Sequence, residues 1–136
     1  MKTPDRHIEP LSMRLLPSGQ FGRVARVELT GENVPATSLE NARHISAHIG
    51  QKNYQGLAMD WRACVMTHNV TELTEVAMAF GSHLPAGVRF AVIHRPDQLA
   101  HAIKMTRVLA SGGFTARAFG LEADALEWLD QQDEVI

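Results

Sequence analysis

The segment Arg89-Phe90-Ala91-Val92-Ile93 sets the tightest limit on what this chain can fold into. After Arg89 it is apolar without interruption and lacks the polar alternation of a strand with one wet face. A strand of that kind is covered on both faces, as in a parallel sheet with helices packed on it. Its neighbours fit this picture. Val70, Leu73, Val76, Ala77, Phe80 and Leu84 precede it at helical spacing, and Pro85-Ala86-Gly87 stops that helix. Asp97 reads as the cap of the next helix, with Leu99, Ala102, Ile103, Leu109 and Ala110 on its buried stripe. Gly112-Gly113 ends it.

The same rhythm runs through the rest of the chain. Leu11, Met13 and Leu15 alternate with Ser12 and Arg14, and Ala25, Val27 and Leu29 alternate with Arg26, Glu28 and Thr30. Each is a half-buried strand. Pro17-Ser18-Gly19-Gln20 reads as the turn that joins them, the second strand starting at Phe21, and Gly31-Glu32-Asn33 ends the hairpin. Thr37-Ser38-Leu39-Glu40 has the form of a capping box, opening a helix to about Gly50 with Leu39, Ala42, Ile45 and Ile49 on one face. Gly56 to Trp61 is a short apolar strand, and Asn69-Val70-Thr71-Glu72 is a second capped start. Thr115 to Phe119 is the last strand, and Leu121, Ala125, Trp128 and Leu129 define a closing helix. The predicted order is β-β-α-β-α-β-α-β-α: an α/β fold with a mainly parallel, mixed five-stranded sheet and about four helices. Residues 1–10, polar with two prolines, read as a flexible lead-in to one domain over 11–136.

Composition excludes several function classes. With 136 residues there is room for one core. A hydrophobic share of 45% against 21% charged residues excludes a disordered chain. No apolar run is long enough to span a membrane, and the first ten residues lack the apolar centre of a signal peptide, so a cytoplasmic protein is expected. One cysteine, Cys64, excludes an internal disulfide and a Cys-rich zinc site. A net charge of −2 gives no electrostatic case for nucleic acid. No Gly-x-Gly-x-x-Gly or Gly-Lys-Ser/Thr pattern occurs, so no nucleotide cofactor is implied.

Sites in open α/β sheets lie beyond the carboxyl ends of the strands. Three predicted exits meet that description: Asp60-Trp61-Arg62, His94-Arg95 and Gly120. Each leads to a helix N-terminus, which favours negative charge. The competing reading is plain strand-end charges reaching water. Cys64 near His68 invites a nucleophile reading, but no third group orients the pair, and cysteine is often a small buried hydrophobe. His44 and His48 stand at i, i+4, a spacing that can share a metal, with no third ligand in the pattern. Six acidic residues and no basic ones lie between Leu121 and Ile136, whereas Arg89 to Arg117 holds five basic residues against Asp97. Solvated helix faces explain this, and so would docking between charged surfaces.

Three stretches carry a family resemblance: Gly56-Leu57-Ala58-Met59-Asp60, Arg89-Phe90-Ala91-Val92-Ile93, and Ala116-Arg117-Ala118-Phe119 followed by the acidic segment from Glu122 to Leu129. Together they resemble the STAS-like families, the fold of anti-sigma-factor antagonists, in their SpoIIAA-like bacterial branch. The resemblance runs from about Leu11 to Leu129 and implies a non-catalytic domain whose task is binding a protein partner. Phosphorylatable members carry Asp-Ser at the start of the second helix. The matching positions here are His68 and Asn69, so the serine switch is not implied, although Thr67 and Thr71 stand nearby. The residues expected to meet a partner or ligand are Asp60, Trp61, Arg62, Asn69, Thr71, His94 and Arg95. Two further expectations are a homodimer, formed where the hairpin leaves a sheet edge, and a small apolar or amphipathic ligand held in the layer of Phe80, Leu84, Met105 and Trp128.

Overall fold

Alternation in the two N-terminal strands produces the hairpin that the sequence predicts. Strand β2 (Leu11–Ser18) pairs antiparallel with β3 (Val24–Asn33), placing Met13 opposite Leu29 and Leu15 opposite Val27. The structure, a computed structural model, describes residues 6–8, 11–18 and 22–131. The Gly19–Phe21 part of the predicted turn and strand, and the acidic residues Asp133 and Glu134, lie outside them. Within the segment read as a lead-in, Arg6–Ile8 forms a short strand, β1, antiparallel to β2. The five expected strands therefore gain a sixth, which covers the outer edge of the hairpin along Leu11–Met13.

The remaining strands are β4 (Gly56–Met66), β5 (Arg89–Ile93) and β6 (Ala116–Phe119). The sheet order is β1-β2-β3-β4-β5-β6, parallel from β3 onward. Helices α1 (Pro35–Lys52), α2 (Val70–His83) and α3 (Leu99–Ser111) follow β3, β4 and β5, and α4 (Glu122–Asp130) follows β6. One sheet face carries Leu15, Val27, Leu57, Met59, Trp61, Phe90 and Val92 against Ile45, Ile49, Leu73, Phe80, Met105 and Leu109 of the first three helices. Phe80 and Phe90 meet edge to face, 5.1 Å between ring centres. The other face sets Val24, Ala58, Ala91, Ile93 and Phe119 under Ala125 and Leu129 of α4. β5 is thus covered on both sides, as its composition requires.

Local chemistry moves several boundaries. Residues Gly31–Asn33, read as the end of the hairpin, stay in β3, because past an irregularity between Glu28 and Thr30 they pair with Cys64–Met66. β4 correspondingly runs on to Met66 rather than ending at Trp61. The first helix begins at Pro35, whose fixed φ and missing N–H suit the first helical position. Thr37 and Ser38 are therefore already inside the helix. They donate to the Val34 carbonyl instead of forming the predicted capping box. Asp97 lies in a short 3-10 turn (Pro96–Gln98) and pairs with Arg95; it does not cap α3. The buried stripe of α3 is Ala102, Met105, Thr106 and Leu109, whereas Leu99, Ile103 and Ala110 face solvent. The Asn69–Glu72 capping box forms as predicted, with the Glu72 N–H donating to Asn69 Oδ1 and the Asn69 N–H to Glu72 Oε1.

Gly56 lets α4 close on the sheet. A Cβ at that position would stand 3.1 Å from Leu129 Cδ2 and 3.4 Å from Val24 Cγ2. We expect Gly56→Val to push Leu129 off the sheet at a cost of about 1–3 kcal/mol, the usual range for overpacking. Urea denaturation measures this, and unchanged stability would show that α4 does not depend on that close approach.

Candidate functional site

The predicted site residues Asp60, Trp61 and Arg62 are not a strand exit. They lie within β4, and strand alternation separates them. Trp61 is buried in the core beneath the helices. Asp60 and Arg62 project onto the opposite face, where α4 begins. There Asp60, 4% exposed, accepts from Arg26 Nη2 at 2.7 Å, from Arg62 Nε and Nη2 at 2.9 and 2.8 Å, and from the Arg62 N–H at 3.0 Å. Glu122, in the first turn of α4, bridges both guanidiniums, 2.8 Å from Arg62 Nη2 and 3.1 Å from Arg26 Nε. Glu28 adds a third carboxylate on Arg26. Burial works to raise the Asp60 pKa, but the Arg62 hydrogen bonds and the charges of Arg62 and Arg26 outweigh it. The carboxyl is held below the usual carboxylate range. The sequence signal for this network was the pattern Arg-x-Glu on β3 and Asp-x-Arg on β4, which the register offsets so that Glu28 stands opposite Asp60. The positive end of α4 also favours Glu122.

His94 and Arg95 serve the backbone. Pairing between β4 and β5 stops at Asp60 and Ile93, so β4 continues past its neighbour. Arg95 Nη1 donates to the Arg62 carbonyl and, at 3.1 Å, to that of Cys64. Gln98 Nε2 donates to the Trp61 and Cys64 carbonyls at 3.0 and 2.9 Å. His94 is buried; its N–H donates to the Phe119 carbonyl, and its Nδ1 lies 2.9 Å from the Arg95 carbonyl. Gln98, the residue that finishes the strand, was not singled out by sequence reading, since nothing in the pattern marks where β5 stops. Cys64 is buried, and burial pushes its thiol up to about 12, so it is a core residue rather than an activated nucleophile.

Asn69 and Thr71 lie across the sheet from Asp60 and Arg62, at the start of α2, and both are exposed. The loop before them is tied down at several points. The Thr67 N–H donates to the Asn33 carbonyl at 3.2 Å. His68 Nε2 lies 2.8 Å from Ser38 Oγ, and Ser38 Oγ is 2.7 Å from Asn33 Oδ1. His101 Nε2 reaches the His68 carbonyl at 2.9 Å. The expected single surface around Asp60 and α2 is therefore two surfaces, one on each side of the sheet.

The apolar layer offered as a ligand site is filled. Phe80, Leu84 and Met105 are buried core, and Trp128 lies on the other face, over Phe119. Between the sheet and α1 and α2 there is a cavity of about 20 Å³, room for one water. A larger trough of about 460 Å³ opens at the opposite end of the molecule, at the amino ends of the parallel strands. It is lined by Ile49, Tyr54, Pro85, Val88 and Leu129, with Arg23 and Arg89 among its polar groups. Sequence reasoning looked at the carboxyl ends because doubly wound sheets form a crevice where strand order reverses. Here the order never reverses. His48 packs near Tyr54, 5.9 Å between ring centres, and no group of three metal-ligating side chains occurs among the described residues. Arg89 donates to the Gln131 carbonyl at 2.7 Å and lies 4.3 Å over the Trp128 ring, so part of the basic stretch binds the acidic helix within the chain.

No family model and no curated protein matches the sequence. Among solved structures, an anti-sigma factor antagonist from Mycobacterium paratuberculosis superposes with a TM-score of 0.64 and 17% identity, over 92% of this chain and 98% of that one. This chain has the STAS-like fold of the anti-sigma-factor antagonists. At that identity the likeness speaks for architecture, and it agrees with the resemblance that the three sequence stretches carry. No described helix is long and apolar enough to cross a membrane.

The lowered pKa of Asp60 has a consequence for acid stability. The unfolded carboxyl takes up a proton near pH 4, while the folded one resists until lower pH. Its contribution is therefore full above about pH 4 and fades as pH falls through the folded value. Chemical denaturation between pH 6 and 3 should show wild type losing stability in that window, and Asp60→Asn losing less. Equal slopes would remove Asp60 from the linkage.

Proposed function

We propose that this chain is a non-catalytic protein-interaction module of a regulatory pathway, working without a serine phospho-switch. The observation that carries this reading is a pair of apolar stripes that outrun the core. On α2, the buried Leu73–Ala77 stripe continues at helical spacing to Val70, 65% exposed. On α3, the Ala102–Thr106 stripe continues to Leu99, 46% exposed, with Ile103 beside it. The His101–His68 bond joins the two helix starts, so Val70 and Leu99, each the first residue of its helix, stand at the same end of the molecule. Large apolar residues grouped at one end of a small domain are what a protein partner covers. Asn69 and Thr71 lie on the same rim. The solved neighbour is named as an antagonist of an anti-sigma factor, which supports a protein as partner for this chain. Asn69 in place of a serine serves as a helix cap and offers no hydroxyl.

A second reading rests on the trough. Its apolar floor and two arginines suit a small amphipathic acid.

Two measurements test these readings. Val70→Asp and Leu99→Asp place a negative charge in the first turn of a helix, where the dipole welcomes it, so each should change stability by no more than about 0.5 kcal/mol. Co-purification of a partner from native lysate should nevertheless fall at least tenfold; undiminished capture would move the docking face elsewhere. Charge reversal at Arg62 is a poor probe, because it dismantles the Asp60 network. For the second reading, native mass spectrometry should find a stoichiometric extra mass on the purified chain, lost when Ala86→Trp fills the trough. A bare chain mass removes that reading.

A further inference from the structure

We propose that His68 is an acid-released latch that fastens the β4–α2 loop to α1 and α3. The hydrogen-bond chain fixes how the imidazole is protonated. The single Ser38 hydroxyl proton points to Asn33 Oδ1 at 2.7 Å or to the Val34 carbonyl at 3.0 Å, both of which are acceptors. Ser38 Oγ must then accept from His68, so the neutral ring carries its proton on Nε2. Nδ1 is left as a bare lone pair. It is buried and has no hydrogen-bond partner among the described residues, in a side chain 5% exposed.

A proton on Nδ1 would create a charged donor with nothing to receive it. A buried charge without a partner is strongly disfavoured unless the group moves to water. The groups facing the ring do not remove that cost. From α2, Glu72 attracts a proton to the ring, but its carboxylate is already engaged by the Asn69 N–H at 2.9 Å. From α3, His101 opposes it when charged. From α1 and β3 the neighbours are Ser38 and Asn33, which do not titrate. Burial is the largest influence and lowers the His68 pKa below its ordinary value. The loop is therefore fully fastened above about pH 6.5 and loosens as pH falls from there toward the folded pKa, because the opened loop binds the proton more readily.

The Thr67 amide, bonded to the Asn33 carbonyl, reports on the latch directly. Hydrogen exchange of the isolated chain, corrected for intrinsic rates, should show its opening constant rising by up to about tenfold per pH unit below 6.5. His101→Gln should keep that dependence and His68→Gln should abolish it. A flat profile in wild type, or loss of the dependence in His101→Gln, overturns the proposal. Should His68→Gln not fold, imidazole nitrogen spectra of wild type decide: an Nε2–H ring titrating below 6.5 supports the latch, and an Nδ1–H ring or titration at 6.5 or above overturns it. A role in controlling partner docking rests on the proposed function. The latch is measured without a partner, so a failed capture experiment leaves it standing, and a flat exchange profile leaves the docking face standing.

Discussion

A mismatch in strand length governs the working end of this molecule. β4 has eleven residues and β5 has five, so six residues of β4 extend past their neighbour with polar groups that need partners. Arg95 and Gln98 supply them. To do so, the chain after β5 must turn back at once, and the Pro96–Gln98 turn accomplishes this. That turn sets where α3 begins, which brings His101 against the β4–α2 loop and leaves Leu99 exposed at the helix start. The start of α3 thus follows from carbonyl groups that the longer strand leaves unpaired.

The two sides of the extended strand do different work. On one side Asp60 and Arg62 are locked into a five-residue network with Arg26, Glu28 and Glu122, which seats the first turn of α4. With five charges mutually satisfied, that side is a fastening. Breaking one member would strand another in a nearly buried site, which is more costly than the net worth of the intact pair. On the other side Thr71 and Val70 are exposed, while Asn69 beside them caps α2. A surface can be specialised for recognition where side chains are not needed to hold the fold, and this division puts such freedom on the helix-covered side.

Much of the architecture was legible in the sequence because periodicity reports burial. β5, the hairpin, the Asn69 capping box and the glycine end of α3 all depend on local patterns of a few residues. The misplaced features depend on contacts between distant segments. Thr37 looked like a cap because Pro35 was not weighed as a helix start. Asp60 to Arg62 looked like a loop because the apolar run ends there; a strand that exchanges apolar burial for paired charges keeps its hydrogen bonds but loses its pattern. Leu99 and Ile103 looked buried because spacing identifies a stripe without saying how far the core reaches along it. The trough could not be read at all, since its walls come from three helix ends and strand starts remote in sequence.

Strand order equals chain order throughout the sheet, so every strand pairs with the one made just before it. A sheet of this kind can grow at a single edge as the chain is synthesised, with no strand waiting for a later one to be inserted. The α4 side is the exception. Val24, Ala58, Ala91 and Ile93 are laid down early, yet their cover, Ala125 and Leu129, belongs to the last described helix. During synthesis that face has no cover of its own until α4 is made, while the opposite one is already closing.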